Sequence, residues 1–158
     1  MEWKGYDENG NIIYELINGN GNVKEYEGKK LKFEGEYLNG RKNGKGKEYK
    51  NIRLIFEGEY FNGRKNGKGK EYNSDGNLIF KGEFKNGLKW NGKGYDGDNN
   101  IVYELNNRKG YVKEYNFYWN LVFEGEYING QKHGKGKEYE YNNLKFEGEY
   151  LNGVKVFK

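Results

Sequence analysis

The chain has 158 residues, with 28 basic and 24 acidic side chains and neither cysteine nor proline. Without cysteine there is no disulfide framework and no thiolate metal site. Charged residues at 33% and hydrophobic ones at 34% exclude a thick aliphatic core, yet 16 Tyr, 9 Phe and 3 Trp are too many rings for a disordered tail.

The start, Met1-Glu2-Trp3-Lys4-Gly5-Tyr6, lacks the apolar core of a signal peptide. No stretch approaches the roughly 18 apolar residues of a membrane span. A soluble, cytoplasmic protein is expected. The net charge of +4 is made of interleaved signs, which argues against nucleic acid as a partner.

The first full unit begins at Phe33-Glu34-Gly35-Glu36-Tyr37. Rings and glycine alternate with carboxylates, the period of a strand. Leu38 to Gly44 reads as a Gly-rich turn, Lys45 to Tyr49 as the returning strand, and Lys50 to Arg53 as a second turn. The same block returns at Phe56, at Phe80 (with Lys81 in place of Glu), at Phe123 and at Phe146. Each unit is therefore a β-hairpin, and the hairpins should pair into one antiparallel meander. Helix is disfavoured by 26 glycines, each costing about 1 kcal/mol in a helix interior.

The tyrosines that close the units give the register: Tyr6, Tyr26, Tyr49, Tyr72, Tyr95, Tyr115 and Tyr139. Two units are short, over residues 6–26 and 95–115. There Tyr14-Glu15-Leu16 and Tyr103-Glu104-Leu105 stand for Phe-Glu-Gly, and the Arg-Lys-Asn-Gly segment is missing. The chain thus carries a longer duplication above the small repeat. Residues 1–158 are expected to form a single array, with 146–158 as a terminal half-unit or cap, since repeat arrays need atypical ends.

The run Phe33-Glu34-Gly35-Glu36-Tyr37-Leu38-Asn39-Gly40-Arg41-Lys42-Asn43-Gly44-Lys45-Gly46 resembles the MORN repeat (membrane occupation and recognition nexus). Phe56 to Gly69 and Phe123 to Gly136 fit equally, and Phe80 to Gly94 fits with one extra residue before Gly92. The resemblance implies an all-β, elongated, twisted, trough-like sheet with rings lining its concave side. It implies a non-enzymatic scaffold for protein contacts, self-association or lipid contact. Some bacterial proteins with similar repeats are labelled antitoxin-like, so neutralisation of a toxin is an alternative, and a peripheral membrane adaptor is another.

Candidate partner-binding rings are Tyr37, Tyr49, Tyr60, Tyr72, Phe84, Tyr127 and Tyr139, which could grip an extended peptide or simply stack to hold the sheet. Asn116-Phe117-Tyr118-Trp119-Asn120 replaces turns that are polar elsewhere, and Phe117, Tyr118 and Trp119 are candidate anchors. Arg41, Lys42, Arg64, Lys65 and Lys132 fall in turn segments and could form an edge for anionic lipid, or a solvated rim that blocks aggregation. Gly35, Gly58, Gly125 and Gly148 each lie between two same-face rings, where a Cβ would crowd the stack.

Catalysis finds little support. The one histidine, His133, and the one serine, Ser74, both lie in turns, so no nucleophile–base pair forms from the usual types. Glutamate pairs recur in nearly every unit, as scaffold residues do. Asp96-Gly97-Asp98-Asn99-Asn100 begins like a calcium loop, but Ile101 and Asn107 stand where glycine and glutamate are needed. No cofactor, metal or small-molecule substrate is expected.

Overall fold

The computed structural model describes residues 2–6, 9–116, 118 and 120–157, the side chains of Trp3 and Ile13 excepted. It is all-β and antiparallel, built from consecutive hairpins. The strands are β1 (Glu2–Tyr6), β2 (Ile12–Ile17), β3 (Gly21–Glu27), β4 (Lys30–Leu38), β5 (Arg41–Lys50), β6 (Arg53–Phe61), β7 (Arg64–Tyr72), β8 (Leu78–Lys85), β9 (Leu88–Tyr95), β10 (Ile101–Leu105), β11 (Lys109–Tyr115), β12 (Leu121–Ile128), β13 (Gln131–Glu140), β14 (Asn143–Leu151) and β15 (Val154–Val156).

The tight turn of a regular unit is only two residues long. Asn39 and Gly40 both adopt positive φ (52° and 73°), the type I′ geometry that matches strand twist. Leu38 pairs directly with Arg41, so Arg41 to Gly44 is strand rather than the turn expected from its composition. The extra residues form a bulge: between the Gly35–Gly46 and Tyr37–Lys42 pairs, three residues of β5 oppose Glu36 alone. The Glu36 carboxylate closes that bulge by accepting the Lys45 N–H at 3.1 Å, and Glu59 does the same for Lys68 at 2.7 Å.

Successive tight turns are stitched together along one edge. The turn amides of Gly40, Gly63 and Gly87 donate to the carbonyls of Gly19, Lys42 and Lys65 at 2.8–2.9 Å. The Asn43 and Asn66 side chains accept from the amides of Asn62 and Asn86 in the next turns.

The strands have two unlike faces. On one, Phe33, Phe56, Phe80 and Phe123 are wholly buried. They meet their neighbours edge-on, as in Phe33–Tyr60 at 5.4 Å and Phe56–Phe84 at 5.2 Å. Each ring lies over glycines: a Cβ on Gly46 would sit 2.6 Å from Phe33, and one on Gly58 2.7 Å from Phe56. A layer of lysine and glutamate covers these rings. Lys42, Lys65, Lys89, Lys132 and Lys155 stand 3.9–4.7 Å over Phe33, Phe56, Phe80, Phe123 and Phe146, each also bound to glutamates of the same face such as Glu25, Glu48, Glu71 and Glu138. The lysine stems supply the apolar cover that a second layer would otherwise give.

The ladder is not one unbroken sheet. Pairing runs through β3–β10 and through β11–β15, and β1–β2 stands apart. Both breaks fall at short units, where only the Ile17–Asn20 and Asn106–Lys109 bridges remain. Regular hairpins close because glycine faces glycine, as in Gly35–Gly46 and Gly58–Gly69. In the short units Leu16 and Val23, and Leu105 and Val112, take those places, and all four are buried. No glycine pair is left there to close the hairpin, and the ladder lapses. Leu105 and Val112 join the ring core, with Tyr103 and Tyr127 packed against it, so burial continues where hydrogen bonding lapses.

Candidate binding groove

The groove of this protein runs over the face opposite the rings. Its volume is about 1220 Å³, it crosses β3 to β9, and it ends at Tyr95. Its walls are the out-of-phase residues of the strands: Glu34 and Glu36, Lys45 and Lys47, Glu57 and Glu59, Lys68 and Lys70. Its floor is the backbone of the paired glycines. The rings expected on the hollow side do not line this groove; Phe84, Tyr103 and Tyr127 line a second cavity of about 680 Å³ at the β10–β11 break. The packing reason is that a Phe ring fits only where the partner strand offers glycine, and those glycine faces point to the covered side.

A cross-strand ladder of opposite charge runs along the groove. Register places Lys24, Glu34, Lys47, Glu57 and Lys70 side by side. Lys47 stands 3.9 Å from Glu34, and Lys70 stands 2.9 Å from Glu57. The closing tyrosines also belong to this face. Tyr49 donates to Glu34 at 2.6 Å, Tyr72 to Glu57 at 2.7 Å and Tyr139 to Glu124 at 2.7 Å. Burial, then the bond to Glu34, pushes the Tyr49 phenol up to about 12. For Tyr139 the bond to Glu124 is the larger cause and the value is again about 12.

The candidate residues thus divide. Tyr49, Tyr72 and Tyr139 edge the charged face, half-exposed and bound to carboxylates. Tyr37 and Tyr127 lie on the ring face, bound to Glu25 and Glu114. Tyr60 and Phe84 are 4% and 3% exposed and form core, so they offer a partner no surface. Tyr118 is exposed in a turn where Asn116 accepts the amides of residues 118 and 120. Phe117 and Trp119 lie outside the described residues. Asp96 likewise caps its own turn, accepting the amides of Asp98 and Asn100 at 3.0 and 2.8 Å, as a turn residue does.

The proposed cationic edge does not assemble. Lys42, Lys65 and Lys132 turn onto the rings and into ion pairs, leaving each only about a fifth to a quarter exposed. Arg41 and Arg64 remain exposed beside the turns. Sequence reasoning missed the exposed apolar residues before successive turns, Ile17, Leu38 and Phe61. Their signal was present: each directly precedes an Asn-Gly pair.

Four stretches match the model of the MORN repeat: residues 33–51, 56–78, 80–94 and 123–140. The chain carries MORN repeats at these four positions. No curated protein matches it at a significant level. The matches fall on regular hairpins and omit the short units, whose glycine pairs are replaced by Leu and Val. MORN repeats are binding modules for proteins or membranes, and the family is non-catalytic. Within the repeat at 80–94, the ladder pairs Gly92 with Gly82 and Gly94 with Phe80. Gly92 therefore takes the place of Gly46 and Gly94 that of Glu48, so this return strand is one residue short rather than one long.

Proposed function

We propose that this protein is a non-enzymatic interaction scaffold that holds a segment of a protein partner, or of a second copy, along the groove of β3–β9. The observation that carries the reading is the difference between the two faces. Over Phe33 and Phe56 the ring face is covered by its own lysines and glutamates, and its cavity of about 680 Å³ is confined to the β10–β11 break, whereas the groove is open, long and floored by glycine backbone. A glycine floor lets a second backbone approach closely. Exposed Leu38 and Phe61 at one end of the strands add apolar contact beside the charges. Membrane contact ranks behind this reading, because three of the five cations that would serve it are engaged within the chain.

Photo-crosslinking tests the reading. A benzoylphenylalanine at Lys47 reports on the groove, and one at Lys155 reports on the ring face. Adducts with partner or second copy formed from position 47 and not from 155 are expected. Adducts confined to position 155 overturn the reading.

A further inference from the structure

The charge ladder of the groove has one fault. Each strand from β3 to β7 contributes the sign opposite to its neighbour. At β8 the rule fails: Lys81 stands where Glu34 and Glu57 stand in the earlier repeats, so Lys70, Lys81 and Lys93 lie side by side on adjacent strands. Neighbouring strands are about 5 Å apart, so the three lysine positions fall within roughly 10 Å. Like charges directly opposite one another destabilise a sheet. Lys70 is drawn to Glu57 at 2.9 Å and Lys93 to Glu104 at 3.2 Å, one on each flank. Lys81, exposed between them, makes no ion pair among the described residues. In the second half the same row alternates again, through Lys113, Glu124, Lys137 and Glu147.

The substitution removes a second interaction as well. In the regular repeats the Glu at this position accepts the hydroxyl of the closing tyrosine, as Glu34 does from Tyr49 and Glu57 from Tyr72. Tyr95 is the closing tyrosine of this repeat and lines the groove, but register gives it Lys81 in place of a carboxylate. One site therefore has lysine ammonium and tyrosine hydroxyl donors without the acceptor that the same donors hold in the sister repeats.

We propose that this fault is an acidic-residue subsite: the Asp or Glu side chain of a partner segment lying in the groove supplies the carboxylate that Lys81 displaced. The sister repeats specify the ligand chemistry, since there a carboxylate satisfies a lysine and a tyrosine together. The fault lies within the groove wall, so an extended acidic segment reaches it while running over the glycine floor. The subsite rests on the reading of the groove as the binding surface and adds to it the sign and place of the decisive contact.

The test uses the whole chain and a fluorescein-labelled peptide of alternating Glu and Thr, followed by anisotropy at low salt. The Gln counterpart of the peptide and inorganic phosphate are comparison ligands. The Glu peptide should bind and the Gln peptide should not. Lys81→Glu should weaken binding about tenfold, since it both removes an attraction and adds a repulsion. That variant restores the residue of the sister repeats, so its melting temperature should not fall. Lys145→Glu, the same charge change outside the groove, should alter binding less than about twofold. Equal weakening by the two variants, or full displacement of the peptide by phosphate with the same dependence on Lys81, overturns the proposal. A crosslink from position 47 to the peptide with no effect of Lys81→Glu leaves the groove reading standing and removes the subsite. Dependence on Lys81 with no crosslink at position 47 removes the groove reading and, with it, the subsite of a segment lying in the groove.

Discussion

Gly58→Ala separates steric crowding from backbone strain at a single site. Gly58 has an ordinary φ, so alanine meets no conformational penalty there, but its Cβ would lie 2.7 Å from the Gly69 Cα, the Lys68 carbonyl oxygen and the Phe56 ring. Two of these three are backbone atoms of the paired strand and cannot rotate away. Relief requires that β6 and β7 separate, which weakens their ladder and uncovers the wholly buried Phe56. Overpacking of this kind costs about 3 kcal/mol. At about 2–4 °C per kcal/mol for a chain of this length, melting should fall by about 6–12 °C. Gly63→Ala is the opposite case: φ is 82° and nothing lies within 4 Å of the added Cβ, so strain is the whole effect, about 1 kcal/mol. Urea titrations followed by tyrosine and tryptophan fluorescence should rank Gly58→Ala well below Gly63→Ala. A Gly58→Ala midpoint equal to the parent's, or above that of Gly63→Ala, refutes the steric account of the glycine pairs.

Lys65→Glu should destabilise the fold by about 2 kcal/mol or more, because it places a third carboxylate beside Glu48 and Glu71 and uncovers Phe56; Arg64→Glu, one residue away and exposed, should be near neutral in the same thermal melts. From sequence, Lys65 is expected in a turn segment, on a lipid-binding edge or a solvated rim; the ion pairs and the ring beneath it make it part of the packing instead. Ile52→Gly should stabilise by about 1 kcal/mol, since a β-branched side chain there is held at φ 64° and is 76% exposed, and a urea midpoint that falls would refute the strain argument. The raised phenols predict alkaline weakening. Tyr49 and Tyr139 have folded values of about 12 against 10.0, so their contribution is full below pH 10 and is lost as pH rises through about 12. Urea midpoints that stay level across that window, with tyrosinate absorbance rising as for free tyrosine, would show the Tyr–Glu bonds to be inconsequential.

Strand, turn and repeat were legible from the sequence because they are set by near neighbours. Period-two rings and glycines give the strands, and the loss of glycine at Leu16 and Leu105 marks the irregular units; the turn expected over Leu38 to Gly44 is made by Asn39 and Gly40 alone. The anomaly at Lys81 was also visible, as a lysine where its sisters have glutamate. What it faces was not, because a residue's neighbours across a sheet depend on register, and the bulges of two-residue hairpins shift register in ways that spacing does not reveal. The same bulges turned Lys42, Lys65 and Lys132 from supposed turn cations into covers for Phe33, Phe56 and Phe123. Only the tertiary structure decided which face is open. Alternation says that rings and charges lie on opposite sides of a strand, but it is symmetric between them. Close packing breaks the symmetry: Phe rings can lie flat only over glycine pairs, lysine stems then cover them, and the charged side is left as the groove.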